Sequence, residues 1–210
     1  MQTKKLDIPF IKSRGLECGQ ACAAMMVKFF KSNFKPDFDE INKIIHHKKG
    51  MYTFPPQLAI ILDENNIKTK AFSSNAVKKT TDDPDQFKKW FGKDYEHEMK
   101  HIDVPSFNLM VHEMNKRNLF SIKKTKFEEL LKLFKKGYLV AIPIDWNTLV
   151  GKKGPYHGHF VIISGIDKEN IYVHNPDVGP FVKCKKNLLQ KAWEHPAIAQ
   201  DFLIAYEKKI

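Results

Sequence analysis

Apolar and polar positions recur along the chain with two different periods, and their order predicts helices first and a sheet afterwards. From Cys18 to about Lys31, apolar side chains recur every three or four residues, which is typical of a helix with one buried face. Asp37 is placed to cap a second helix, and a pair of prolines opens a third. The predicted elements of this part are helices over residues 18–31, 38–45 and 55–66 and a strand over residues 67–72.

The last third of the chain carries most of the strand pattern. A helix ending at Gly137 has acidic residues in its first turn and lysines in its last, as helix dipoles favour. The later predicted elements are that helix over residues 127–137, strands over 139–144, 159–164, 171–174 and 201–206, and a short helix over 188–193. Helices followed by an antiparallel sheet indicate the α+β class.

Residues 74–120 differ from the segments on either side. A polar loop over residues 80–85 is followed by spaced large apolar residues that suggest amphipathic helices. We interpret this segment as an insertion that covers the site or holds a partner. The chain is accordingly divided into a helical lobe over 1–73, the insertion, and a β lobe over 121–210, all within one domain.

Composition limits the protein class. No apolar run opens the chain and none is long enough to span a membrane, so we expect a cytoplasmic protein, with export by a signal-less route left open. The net charge is +11, but the lysines are scattered and not interleaved with aromatic residues. This argues against specific nucleic-acid binding and favours a solvated lysine-rich surface, with an acidic partner surface left open. Three cysteines, an odd number, argue against a disulfide framework.

Cys18 is the first candidate for chemistry. A thiol at a helix N-terminus faces unpaired N–H groups and the positive end of the dipole, which favour the thiolate. Gly19 beside it would let a substrate backbone approach closely. Cys22 lies on the apolar face and is expected in the core, and Cys184 carries little signal.

His159 is the candidate base. A turn near residues 167–169 would place the start of one strand opposite the end of the next, so His159 should face residues 175–178. Asn175 and Asp177 both offer an oxygen that could hold the imidazole in one tautomer, and the sequence does not choose between them. His157 is an alternative to His159. A cysteine, a histidine and then an amide or carboxylate, in this order, is the layout of a papain-like thiol enzyme.

Three segments carry a resemblance to a known family. Residues 17–26 resemble the Asp-Cys-Gly-x-Ala-Cys-x-Ala-Met motif of the double-glycine-leader (bacteriocin-processing) cysteine peptidases. Residues 158–163 and 171–176 look like that family's Gly-His-Phe-Val-Val and Ile-Tyr-x-x-Asp-Pro stretches, and the resemblance covers about residues 8–72 and 126–207.

The resemblance implies a papain-like cysteine proteinase fold, with an N-terminal helical lobe packed on a C-terminal antiparallel β-sheet lobe. It also implies Cys18 as nucleophile, His159 as general base and acid, and Asn175 as the residue that orients the imidazole, without a cofactor. The family usually has Asp at the position of Asn175, and a Gln that binds the oxyanion at the position of Lys12. Lys12 or Gln20, together with the Cys18 backbone N–H, is therefore the candidate oxyanion donor.

The sequence thus predicts a papain-like cysteine peptidase acting on a peptide or protein. Three alternatives use the same cleft: a deamidase, a transglutaminase-like enzyme, and an inactive relative that binds a peptide or protein partner. A metal site of Cys18, Cys22, His157 and His159 is disfavoured because Cys22 should face the core. A nucleotide cyclase is a further alternative, since a guanylyl-cyclase-like group is similar to this peptidase family. However, no segment resembles a glycine loop that cradles phosphate.

Overall fold

The structure is a computed structural model and describes residues 4–207. One mixed β-sheet runs through this part of the chain. Its strands are β1 (Lys4–Lys5), β2 (Lys68–Ser73), β3 (Phe120–Ile122), β4 (Leu139–Asp145), β5 (Gly158–Ile166), β6 (Asn170–Asn175), β7 (Gly179–Lys185) and β8 (Phe202–Tyr206). They follow the order β3-β2-β8-β4-β5-β6-β7, and β1 pairs with β5.

The helices lie on both faces of this sheet. They are α1 (Cys18–Phe30), α2 (Phe38–Ile44), α3 (Pro55–Glu64), α4 (Gln86–Phe91), α5 (Tyr95–Glu98), α6 (Val104–Lys116), α7 (Phe127–Lys135), α8 (Trp146–Val150) and α9 (Lys186–Trp193). Asp37 caps α2 as predicted, accepting from the N–H groups of Asp39 and Glu40. No helix among these described residues has the length and apolar character needed to cross a membrane.

The predicted α+β class is confirmed, and strands β4 to β8 of the C-terminal part pair antiparallel as predicted. Strand β3 runs parallel to β2, with Ala71 opposite Phe120. Strands β3 and β7 and helix α8 were not predicted. Each is short or lies at a sheet edge, where lysines and Pro180 replace the apolar alternation that marks a central strand.

The core has two parts, one on each face of the sheet. On one face, α1 is buried from Gly19 to Val27, including Cys22, and packs against α3. The insertion contributes Phe87, Phe107, Met110 and Met114 to this same core. On the other face, α7 and α9 cover the sheet with Phe127, Phe134 and Trp193, among others. Segment 74–120 is therefore packed into the helical side of the molecule.

Candidate active site

The start of α1 lies against strand β5. The Sγ of Cys18 accepts a hydrogen bond from the backbone N–H of Phe160 at 3.5 Å, and Phe160 directly follows His159 in the chain. The backbone N–H groups of Cys18 and Gly19 also interact with the sulfur, as expected at a helix N-terminus. The fold therefore places the predicted nucleophile beside the strand that carries the predicted base.

A buried polar network fixes the chain just before Cys18. The Glu17 carboxylate, 5% exposed, accepts hydrogen bonds from Nε and Nη2 of Arg14 at 2.9 and 3.1 Å. It also accepts one from Nδ2 of Asn42 at 2.6 Å, which ties α2 to the start of α1. These charge-assisted bonds hold the sulfur in a defined position.

Neither predicted oxyanion donor is brought to the sulfur. The Gln20 amide is fully buried, donates to Asn42 Oδ1 at 3.0 Å and accepts from Thr53 Oγ1 at 3.2 Å. Gln20 thus joins α1 to neighbouring segments of the helical lobe. Lys12 is exposed and is not among the residues that line the cavity at Cys18.

His159 and Asn175 form a buried hydrogen-bonded pair. Nε2 of His159 lies 2.9 Å from Oδ1 of Asn175, and the side chains are 6% and 0% exposed. The same Oδ1 accepts from the backbone N–H groups of Asp177 at 3.0 Å and Val178 at 3.3 Å. Because Oδ1 of Asn175 is the acceptor in all three contacts, Nε2 of His159 must carry the hydrogen. Nδ1 of His159 is therefore the basic nitrogen. Asp177 lies on that side, with Oδ2 3.7 Å from Nδ1.

The loop between β4 and β5 completes the surroundings of the imidazole. The Trp146 ring stands roughly edge-on to His159, with 5.3 Å between the centroids. The Asp145 carboxylate accepts from the N–H of Thr148 and from the N–H of His157, each at 2.9 Å. The His157 side chain, the alternative base, lines the same cavity. Trp146 was missed in the sequence, although an aromatic residue at the end of a buried strand could have indicated it.

Burial changes the protonation of both reacting groups. Burial raises the pKa of the Cys18 thiol to about 11, and the nearby Asp177 charge adds to this, against the opposing backbone N–H groups. Burial lowers the pKa of His159, although Asn175 and Asp177 act in the other direction. These directions favour a neutral thiol and a neutral imidazole at rest, whereas the helix N-terminus favours the thiolate. The thiolate expected from the sequence stays a prediction.

A cavity of about 340 Å³ opens beside Cys18 and His159. Eight Phe, Tyr and Trp residues contribute to its walls, and part of the walls comes from the insertion, through Val77, Trp90, Phe91, His97, His101 and Met110. Within residues 4–207, no three His, Cys, Asp or Glu side chains are grouped so that they could hold a metal ion. Cys22 is fully buried in the core, as predicted.

The sequence matches the family described as guanylylate cyclase over residues 10–205. The chain belongs to this family. No curated protein matches it. The family match is thus to the cyclase group and not to the double-glycine-leader peptidases that the sequence resembles, which corrects the expected family.

Solved structures show the fold. A Bacillus anthracis protein described as a C39-like peptidase has a TM-score of 0.58 at 15% identity, with 99% of each chain covered. A double-glycine-motif protease from an AMS/PCAT transporter, solved in complex with its leader peptide, has a TM-score of 0.50 at 13% identity, covering 97% of this chain and 94% of that one. The predicted papain-like fold is therefore confirmed.

The rate of alkylation should report the protonation of Cys18. Because burial raises the pKa of this thiol to about 11, we expect its reaction with iodoacetamide to quicken about tenfold per pH unit between roughly pH 8 and 10. Peptide mass spectrometry would follow Cys18, with the fully buried Cys22 as an internal control that stays unmodified. A Cys18 rate already at its maximum near pH 6 would instead mean a thiolate at rest.

Gly19 lies in close contact with the protein's own side chains. A Cβ at this position would lie 3.3 Å from side-chain atoms of Leu58, Phe160 and Thr53. Its small size therefore lets α1 pack against β5, and the close approach of a substrate backbone to Gly19 stays a prediction.

Gly19→Ala should destabilise the fold by about 1–2 kcal/mol, because three neighbours must shift at once. Chemical denaturation would measure this. Asn187→Ala, at the same position of the exposed first turn of α9, is the matched control and should be neutral or slightly stabilising. Stabilisation by Gly19→Ala would show that helix propensity outweighs the close packing.

Asn175 and Asp177 should differ in their effect on turnover. Asn175→Ala removes the acceptor that fixes the His159 tautomer, so we expect kcat to fall roughly 10- to 10³-fold. Asp177→Asn should change kcat by less than about tenfold, because its carboxylate is half-exposed.

Asn175→Asp is the control. Aspartate can accept the same hydrogen bonds from His159 and from the backbone N–H groups of Asp177 and Val178, so the turn is kept and most activity should be retained. A larger loss in Asp177→Asn than in Asn175→Ala would assign the orienting role to Asp177.

Proposed function

We propose that the protein is a cysteine-dependent amide-bond hydrolase that acts on a peptide or protein, with Cys18, His159 and Asn175 as its catalytic residues. The observation that carries this proposal is the buried His159–Asn175 pair at 2.9 Å, next to a sulfur held by the N–H of Phe160 at 3.5 Å. This is the arrangement of nucleophile, base and orienting group that thiol-dependent acyl transfer needs.

The reaction begins with two neutral groups. Nδ1 of His159 accepts the Cys18 proton as Sγ attacks the substrate carbonyl carbon, which forms a carbon–sulfur bond and an oxyanion. His159 returns the proton to the leaving nitrogen, and the carbon–nitrogen bond breaks. Water then attacks the thioester with His159 as base, which releases the acid and restores the thiol. In residues 4–207 no hydrogen bond joins the sulfur to the imidazole, and such contacts commonly tighten only with substrate bound.

The oxyanion would be held by backbone groups. With Gln20 engaged elsewhere and Lys12 outside the cavity lining, the N–H groups of Cys18 and Gly19 at the start of α1 remain as donors. A helix N-terminus suits this purpose because its first N–H groups have no partner within the helix.

A second candidate is the conversion of GTP to a cyclic nucleotide, and the match to the guanylylate cyclase family favours it. A triphosphate requires cationic side chains or a cradle of N–H groups. Among the described residues that line the cavity there is no Lys or Arg. For this reason we place amide hydrolysis first.

Product analysis separates the two candidates. Wild type and Cys18→Ala would be incubated side by side with a complex peptide library and, separately, with GTP, and products would be identified by mass spectrometry. The proposal expects new peptide termini that depend on Cys18. Mass changes of Gln or Asn residues, or amine adducts, would assign the deamidase or transglutaminase-like variant. Cyclic nucleotide formation without Cys18-dependent change in any peptide would contradict the proposal.

A further inference from the structure

The cavity at Cys18 has a charge character opposite to that of the whole protein. The chain carries 35 Lys and Arg against 24 Asp and Glu. The described lining of the cavity nevertheless includes Asp177 and Asp201, four histidines and no Lys or Arg. Because the protein is basic overall but no Lys or Arg is among the described residues of this wall, the wall is suited to bind a cationic ligand.

Glu98 is a buried acid that lies beside this wall and lacks a full partner. Its side chain is fully buried, and neither carboxylate oxygen has a hydrogen bond within the described residues. The neighbouring His97, which lines the cavity, lies 3.9 Å away through Nε2. Tyr52, another lining residue, interacts with the carboxylate, and burial raises the pKa of Glu98. A buried carboxyl group without a full partner costs stability, which a matching ligand would recover.

Asp201 is the second acid of this region. It lines the cavity, its Oδ1 is buried without a hydrogen bond, and burial raises its pKa to about 7. Tyr156 lines the same cavity as Asp201. Burial raises the pKa of the Tyr156 hydroxyl, and the charges of Tyr52, Glu98 and Asp201 add to this.

Aromatic rings supply the remaining surface. Tyr52, Tyr156 and Trp90 all line the cavity, and faces of such rings attract cations, more strongly when water is excluded. Cys18, Tyr52 and Asp201 all line this cavity, so the nucleophile and this part of the wall share one space.

We propose that Glu98, Asp201, Tyr52 and Tyr156 form a subsite for a cationic group of the substrate, a guanidinium or an ammonium, next to the carbonyl that Cys18 attacks. The position relative to the reacting carbonyl rests on the proposed function. The binding of a cation does not, because it needs only the cavity wall.

Benzamidine and benzamide test this subsite, since they have nearly the same shape and only benzamidine is charged. Binding would be measured by calorimetry on the full chain carrying Cys18→Ala, so that catalysis plays no part. We expect benzamidine to bind at least about tenfold more tightly than benzamide. Glu98→Gln should remove most of this difference, and Glu96→Gln, an exposed change in the same short helix, should leave it intact.

Asp201→Asn gives an independent second variant if Glu98→Gln does not fold, and it should weaken benzamidine binding in the same direction. The melting temperature supplies a further readout: Glu98→Gln should raise it while binding falls, whereas loss of a merely structural residue would lower both. In the wild type, benzamidine should protect Cys18 from iodoacetamide, which places the ligand in this cavity.

Equal affinity for benzamidine and benzamide, or benzamidine binding unchanged in both acid variants, would overturn the subsite. Failure of amide hydrolysis with charge-selective binding retained would overturn only the proposed function.

Discussion

Replacing Cys18 with alanine is expected to lower the rate of amide hydrolysis roughly 10⁴-fold or more. The variant keeps the cavity and the His159–Asn175 pair but has no atom that can form the covalent intermediate. The residual rate would come from binding and from the N–H groups at the start of α1. Turnover of a library-derived peptide by wild type and variant, at matched concentrations, measures the effect.

Cys184→Ser is the matched control. Cys184 also has a thiol with a raised pKa, but it is buried on β7, at the edge of the sheet, and is not part of the cavity lining. Its replacement should leave turnover within a few-fold of wild type. A Cys18→Ala variant that retains more than about a tenth of the wild-type rate would remove this sulfur from the mechanism.

The proposed catalytic residues could be predicted because local rules place each of them. The apolar repeat that identifies α1 also locates its first residue, and Cys18 is there. The turn before β6 fixes the hairpin register, with Ile162 opposite His174, and this brings Asn175 to His159. Both steps depend only on local sequence. The contact of α1 with β5 depends on distant packing, and the resemblance to a papain-like fold supplied it.

The surroundings of these residues could not be predicted in the same way. Gln20 was predicted as one of two candidate oxyanion donors, yet its side chain bonds Asn42 and Thr53, which come from other segments. Glu98 reaches the cavity region only through the packing of the 74–120 insertion, which carries no recognisable motif. Side-chain direction and burial at such positions depend on contacts distant in sequence.

The same long-range packing sets the chemistry of the thiol. A helix N-terminus alone favours the thiolate, and that was the basis of the sequence prediction. Residues of β5, Tyr52 and the insertion line the cavity at Cys18, and burial is the largest influence on the pKa of its thiol. The proposed mechanism therefore uses a base that is neutral at physiological pH, and burial of His159 favours this by lowering its pKa.

Replacing His159 with glutamine is expected to lower kcat roughly 10²- to 10⁴-fold at neutral pH. Glutamine can fill the buried position but cannot take the thiol proton, so the proton must go to solvent. The shape of the pH profile should change as well. In the wild type, the rate should rise as the imidazole loses its proton below pH 6.5 and then stay level. In the variant, it should climb with pH toward the thiol pKa of about 11. His112→Gln, an exposed change on α6, is the control and should match wild type. A variant with the wild-type profile and a rate within a few-fold would show that another group, with His157 the first to test, acts as the base.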